Sequence, residues 1–529
     1  MIGYRANYTY VEADDIRLFT AMLLPNEAGV FPTVVIRTPY VDKLEAQTEE
    51  KICATYLHEN EKWLARGYAV VIQHCRGRGK SEGDCIPYIN EREDTRALYA
   101  WIRRQPFYNG ELFLKGGSYL TSVHYCAAPY ESDVKGAVFG VQDTERYNIC
   151  YRNGFMKKGL HGNWYVGMYK AKSKMKKHYT AGAFELLPLS DFTKTVFGEP
   201  VADFDEMLRS PRPTDPFWQT HNGGADARGA TDDLTFPVLF TTAFHDLYTG
   251  GIFDLWHQMS EATRARCALV VSPYDHGDGY NEAVTMAYPK GKRSEQFGAD
   301  YEIDWFDSIR DKNTKCPFEK GKVTYYRLFE NRWDVCDFSQ PNATKTLQLG
   351  EGEITYKYNP FDPPRFKGGL SCNFGGSVFQ DKPGSRHDIV SVYTKPFEAD
   401  TFVKGKMAVT LRVSSDCEDT CFYVRISIEK ERGDLGLRDD ITSLCYQLGD
   451  YAPNTEANLS FTYDEHAFLV KKGERLRVDI ASADADHYVR HTNRKGLYST
   501  QTTAKVATNT VVLSKSFLTL PVEVAYEKD

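Results

Sequence analysis

No stretch of the 529 residues approaches the roughly 18 to 20 consecutive apolar residues that a membrane-spanning helix needs. The opening residues, "MIGYRANYTYVEADDIRL", lack both a basic leader and an apolar run, so there is no secretory signal to read and the default address is the cytoplasm. Excess positive charge is also missing. The net charge of -7 argues against nucleic acid or an anionic membrane as partner and fits a small substrate. The chain has twelve cysteines, but no dense framework of them. They are scattered through strand-like runs such as "VIQHC" and "SLCYQL", which suits reduced, buried thiols rather than disulfides. Cys417 and Cys421 form the nearest pair, yet no second Cys or His pair follows at zinc spacing, so no metal or organic cofactor is called for. Internal repeats and low-complexity segments are absent, and nothing in the pattern signals oligomeric state, which leaves a homo-oligomer open.

What remains is an ordinary globular composition, long enough for two to four domains. From residue 31 to about 140, short β-branched runs alternate with amphipathic stretches: "TVVIR", "YAVVIQ", "LFL" and "GAVFG" read as strands of a mostly parallel sheet. Between them, "NEREDTRALYAWIRRQ" sets Asn90 and Glu93 at capping-box spacing and places Ala97, Leu98, Trp101 and Ile102 on one helical face. Residues 146–220 mix Lys, Tyr, Gly and Met in helical stretches and read as an inserted cap. Strands resume with "FPVLFTTAF" and "CALVVSPY". After about residue 320 helical periodicity nearly vanishes, and "FYVRISI" and "RLRVDI" alternate with a period of two. The predicted architecture is an α/β sheet domain over 1–145 and 221–310, a helical cap over 146–220, and a β-sandwich or jelly roll over 311–529.

One short stretch carries the chemistry. "LFLKGGSYLT" ends an apolar strand on two glycines and a serine, and a helix can start directly after it. Strand, sharp turn and helix around one hydroxyl is how a nucleophile is displayed, although a serine N-cap behind two turn glycines would look the same locally. A serine hydroxyl needs a base, and the base needs an acid to orient it. Asp246 lies just beyond "FPVLFTTAF" and His276 just beyond "CALVVSPY", so Ser118, Asp246 and His276 stand at three strand ends in the order serine, acid, histidine.

Rivals exist for each role. Asp275 adjoins His276, but neighbouring side chains in an extended segment diverge, which makes it a poor orienter. His245 is the second choice of base. His124 reads as packing on the helix after the serine, and His74 as structural. For the oxyanion, the backbone N–H of Tyr119 is the natural first donor, and the Tyr40 phenol, delivered by "RTPY", could be the second, unless Tyr40 merely packs under the cap.

The set "RTPYVDK", "ARGYAVVIQHCRGRGKSEG", "GGSYL", "FHDLYTGG" and "SPYDHGDG", followed by a β-rich part with "NRW" and "NPFDPP", resembles the CocE/NonD hydrolases, which include cocaine esterase and X-Pro dipeptidyl-peptidase-like enzymes. The resemblance spans nearly the whole chain. It implies an α/β-hydrolase domain with a cap and a jelly roll, cleaving esters or amides through an acyl-enzyme. By that resemblance Ser118 matches the nucleophile, Asp246 the acid, His276 the base, and Tyr40 with the Tyr119 amide the oxyanion hole. Two departures stand out. Thr121 replaces the last glycine of the usual Gly-x-Ser-Tyr-x-Gly elbow, which predicts looser packing at the helix start. An Asp-Thr-Arg-Gly run is replaced by His74, Cys75, Arg76 and Gly77. An ester is the expected substrate, X-Pro or other amide cleavage the alternative, and an inactive ligand-binding protein the lesser alternative. An X-prolyl peptidase should carry carboxylates for a free amino terminus; "DFDEM" in the cap has such charges, though a solvated helix face explains them equally.

Overall fold

The computed structural model describes residues 3–25, 28–168, 181–220, 234–277, 283–339, 341, 343–369 and 376–523. Ten strands form the first sheet, and six of them were expected from the sequence: β3 (Phe31–Thr38), β4 (Ala69–His74), β5 (Tyr108–Gly117), β6 (Val134–Gly140), β9 (Val238–Ala243) and β10 (Ala268–Ser272). An antiparallel hairpin, β1 (Arg5–Ala13) and β2 (Ile16–Leu24), extends one edge, and a small hairpin, β7 (Tyr151–Arg152) with β8 (Phe155–Met156), lies outside it. Sheet order is β1-β2-β4-β3-β5-β6-β9-β10-β11-β12, with β3 to β6 and β9 to β11 running parallel. The last two members, β11 (Val323–Arg327) and β12 (Arg332–Cys336), fall in residues that the sequence reading gave to the C-terminal domain. Leu269 pairs with Val323 and draws β11 onto the α/β sheet. An apolar strand behind a helix reads alike in either domain, and only its pairing partner decides.

The central strands are buried on both faces, as a parallel sheet flanked by helices requires. On one face α1 (Glu49–Glu59), α2 (Glu61–Ala65) and α10 (Tyr301–Arg310) press Ile52, Trp63, Trp305 and Phe306 onto Val34, Val70 and Phe113. On the other lie α3 (Glu91–Ile102) and α4 (Tyr119–Tyr125), whose core continues without a break into the cap and the C-terminal domain. Each fully buried large side chain contributes about 1.5–3 kcal/mol by area alone. Helix α3 is turned from its expected orientation. Glu91, Asp94, Thr95, Leu98, Tyr99 and Ile102 are buried, Trp101 only partly, and Asn90 makes no side-chain cap. The cause is ionic: Glu91 and Asp94 turn inward to meet Arg37 on β3 and Arg76.

Between β6 and β9, in the segment expected as a cap, lie the β7–β8 hairpin and short helices, α5 (Arg146–Cys150), α6 (Asn163–Met168), α7 (Phe192–Phe197), α8 (Ala202–Leu208) and α9 (Pro216–Thr220). Residues 169–180 of the expected cap and 221–233 of the expected return to the sheet lie outside the described residues. The C-terminal part is all-β: an eight-stranded and a four-stranded antiparallel sheet. The four-stranded sheet pairs Val424 with Ile480, Ile426 with Val478 and Ile428 with Leu476, the alternating residues read from the sequence.

Candidate active site

Strand β5 ends at a reversal that only glycine permits. A Cβ on Gly116 would lie 2.2 Å from the Leu120 carbonyl oxygen and 2.6 Å from the Thr121 nitrogen. Ser118 follows with φ 57° and ψ -131°, a left-handed backbone that costs a non-glycine residue on the order of 1–3 kcal/mol. Neighbours hold it there: Ser118 N donates to Gly140 O at 2.9 Å, and Thr121 N donates to Ser118 O at 2.8 Å. Thr121 does not loosen the turn. Its hydroxyl donates to Gly140 O at 3.0 Å and accepts from Gly140 N at 3.1 Å, clasping α4 to the end of β6. The looser packing expected from this departure is therefore corrected.

Asp246 and His276 emerge from the carboxyl ends of β9 and β10, neighbours in the sheet. They meet at 2.6 Å, His276 Nδ1 donating to Asp246 Oδ2. The second oxygen, Oδ1, accepts the Tyr248 amide at 2.7 Å, so the carboxylate of this fully buried residue is held from both sides. Burial works against a charged imidazole, but the Asp246 carboxylate outweighs it and raises the proton affinity of His276 above its ordinary value. The Tyr248 ring stands against His276 at 5.6 Å. The acid loop is also tied to the C-terminal domain, because the buried Arg438 donates to the Asp246 carbonyl at 3.2 Å. Ser118 stands on the same sheet edge with β6 between it and β9; no Ser118–His276 hydrogen bond is present among the described residues.

The two tyrosines behave differently. Tyr40 is half exposed, and its phenol accepts from Trp164 Nε1 of the cap at 3.3 Å. The Tyr119 phenol turns away from the serine, donating to Glu91 Oε1 at 2.5 Å and accepting from Tyr88 N at 3.0 Å. Its amide sits at the first helical position, where no intrahelical acceptor exists. Trp164 packs on Tyr119 at 5.2 Å and on Tyr88 at 5.9 Å, roofing the elbow. Arg37, Glu91, Tyr88, Trp164 and Arg438 carry no assignment in the sequence reading. Arg37 alone left a sign, a charge inside the apolar run "VVIRT".

The rival histidines are buried and locked. His74 bonds Tyr56 Oη at 2.8 Å, His124 bonds Tyr99 Oη at 2.8 Å, and His245 packs on His466 at 5.0 Å. Burial pushes all three down to about 3, so each stays neutral and packed. Asp275 is buried beside His276 and is not the residue on its Nδ1. Cys417 Sγ bonds Asp416 at 3.3 Å and Cys421 Sγ bonds the Ser482 carbonyl at 2.6 Å; among the described residues no cluster of three or more His, Cys, Asp or Glu could hold a metal. No helix among them is long and apolar enough to cross a membrane.

Residues 14–278 match the family model of the X-Pro dipeptidyl-peptidase (S15 family), and residues 322–517 that of the X-Pro dipeptidyl-peptidase C-terminal non-catalytic domain. The chain is 23% identical over 554 residues to cocaine esterase of Rhodococcus sp. (strain MB1 Bresler), covering 94% of this chain and 93% of that one. In fold it is similar to an α-amino acid ester hydrolase, with TM-score 0.80, 18% identity and coverage of 98% and 97%. It is also similar to a CocE/NonD family hydrolase from Staphylococcus aureus, with TM-score 0.66, 14% identity and coverage of 99% and 97%. The chain therefore belongs to the S15 X-Pro dipeptidyl-peptidase family, within the CocE/NonD hydrolases, and is a serine hydrolase.

Proposed function

We propose that this hydrolase cleaves a carboxylic ester through an acyl-enzyme formed on Ser118. His276 Nε2 takes the Ser118 hydroxyl proton as Oγ attacks the acyl carbon, and the carbonyl electrons move to the oxygen. The Tyr119 amide and the Tyr40 phenol donate to that oxyanion. His276 then hands the proton to the departing alkoxide, the C–O bond breaks, and the acyl group stays on Ser118. Water repeats the cycle: His276 accepts its proton, hydroxide attacks, and Ser118 leaves reprotonated. Asp246 keeps the proton of His276 on Nδ1, which leaves Nε2 as acceptor, and stabilises the imidazolium. The observation that carries this reading is the 2.6 Å Asp246–His276 bond on the sheet edge that also carries the strained Ser118.

The ester is favoured over the X-Pro amide because two of the three carboxylates in "DFDEM", Asp203 and Asp205, are engaged within the protein, and the third, Glu206, stands on the exposed face of its helix. Asp203 bonds Arg146 at 2.9 Å and Tyr165 Oη at 3.2 Å, and Asp205 accepts from Thr193 at 2.5 Å. A dipeptidyl peptidase needs such groups for a substrate's amino terminus. Initial rates on a short-chain p-nitrophenyl ester and an X-Pro p-nitroanilide, with wild type and Ser118→Ala side by side, test the choice. Ester turnover alone, lost in the variant, is expected. Efficient anilide cleavage would replace this reading with the peptidase one, and a wild type inert to both esters and fluorophosphonates would leave a ligand-binding protein.

A further inference from the structure

Gly116 and Gly117 stand side by side for different reasons. Gly116 is demanded by the turn, as its missing Cβ would overlap Leu120. Gly117 is not. It is exposed, its φ is not left-handed, and among the described residues the only atom near an added Cβ is Val141 Cγ2 at 3.9 Å, ordinary contact distance. Alanine would fit, and would favour the folded state by narrowing the unfolded ensemble. The fold thus tolerates a side chain that the sequence omits beside the proposed nucleophile.

Val141 shows the converse. It is a β-branched residue at φ 46°, where glycine or asparagine would sit more easily. Its amide donates to Thr241 O at 2.8 Å, and it directly follows Gly140, whose carbonyl receives Ser118 N. A small residue where a larger one fits, and a branched one where a smaller one is easier, meet next to Ser118. Together they make a bare backbone floor with an apolar wall. Direction follows from sheet order: Val141 leaves β6, which lies between Ser118 and the strands carrying Asp246 and His276. The departing group must reach the imidazole that protonates it, so it lies on this side, and the acyl group on the other.

We propose that the open floor at Gly117, walled by Val141, seats the leaving group, and that it takes the bulky, flat, apolar alcohol of an ester; this rests on the serine-hydrolase reading of Ser118. The test holds the acyl group at acetyl and varies the alcohol through ethyl, benzyl and naphthylmethyl. A second series holds p-nitrophenol and varies the acyl chain from acetyl to hexanoyl. Wild type, Gly117→Ala, Gly117→Val, Val141→Ala and Ser118→Ala are compared in kcat/KM and in Tm. Gly117→Ala should keep Tm at or above the wild-type value and lower the naphthylmethyl-to-ethyl ratio at least tenfold, with Gly117→Val lower still. Val141→Ala should raise that ratio, and acyl preference should not move in any of them. A shift in acyl preference, an equal loss on every ester, a Tm drop in Gly117→Ala, or a wild type that turns over neither aromatic ester would overturn the assignment. Activity surviving in Ser118→Ala would instead indict the serine-hydrolase reading itself.

Discussion

Among the described residues, two Asp–His pairs joined through the imidazole Nδ1 share nearly the same local geometry, one in each half. His276 Nδ1 meets Asp246 at 2.6 Å at the edge of the α/β sheet, and His487 Nδ1 meets Asp484 at 2.7 Å beyond the last strand of the four-stranded sheet. In both, burial opposes the charged ring, the carboxylate wins, and the imidazole's proton affinity is raised. Their surroundings differ. The His276 side chain is 15% exposed, at the same end of the sheet as a strained serine, whereas His487 is 3% exposed and its carbonyl accepts Gly159 N. The second pair ties the β domain to the cap. A carboxylate behind an imidazole is thus common structural mortar, and a base needs in addition an opening and a nucleophile.

Substitution separates the two roles. Replacing the proposed nucleophile by Ser118→Ala should have the largest effect, at least about 10³-fold in turnover. His276→Ala should lose at least about 10³-fold in kcat as well, read by steady-state kinetics. His487→Gln should instead cost about 3 kcal/mol in denaturant unfolding, because it removes the charged partner of a buried carboxylate that keeps only the Phe366 and Asp486 amides as hydrogen-bond donors, and should leave kcat near wild type. Equal loss of turnover in both would break the comparison.

Their pH signatures should part in the same way. A raised imidazole contributes stability that is fully present below about 6.5 and is lost as pH rises through the folded value. His487→Gln should therefore flatten the decline of Tm above that pH without moving the kinetic midpoint. As the proposed base, His276 must be neutral, so kcat/KM should rise with pH through a midpoint above the ordinary imidazole value, and Asp246→Asn should shift that midpoint downward while lowering turnover. A smaller loss, about 1–2 kcal/mol of coupling, is expected from Arg438→Met, which frees the acid loop from the β domain. It should appear as a several-fold loss in kcat, with Arg438→Lys recovering part. The smallest effect is that of Thr121→Ala, which strands the Gly140 amide at about 1 kcal/mol, measured by Tm.

Much of this was legible in the chain because local chemistry dictated it. Six sheet strands are short apolar runs, most of them rich in β-branched residues, and Asp246 and His276 stand just past two of them, where parallel sheets present their loops. What stayed hidden depends on partners distant in sequence. The turn of α3 is set by Arg37, which lies 54 residues from Glu91. Residues 323–336 join the first sheet because β10 offers an unpaired edge, which no local pattern reports. Arg438 reaches the acid loop across 192 residues. His487, three residues from Asp484, was close enough to notice, but spacing alone could not separate a structural pair from a catalytic one.

The most direct test is covalent. Wild type, Ser118→Ala, His276→Ala and His487→Gln are treated with a fluorophosphonate and analysed by intact mass and peptide mapping. One adduct on Ser118 in wild type and His487→Gln, none in Ser118→Ala, and labelling slowed by orders of magnitude in His276→Ala are expected. An adduct on another residue, or labelling that depends on His487 rather than His276, would contradict the account.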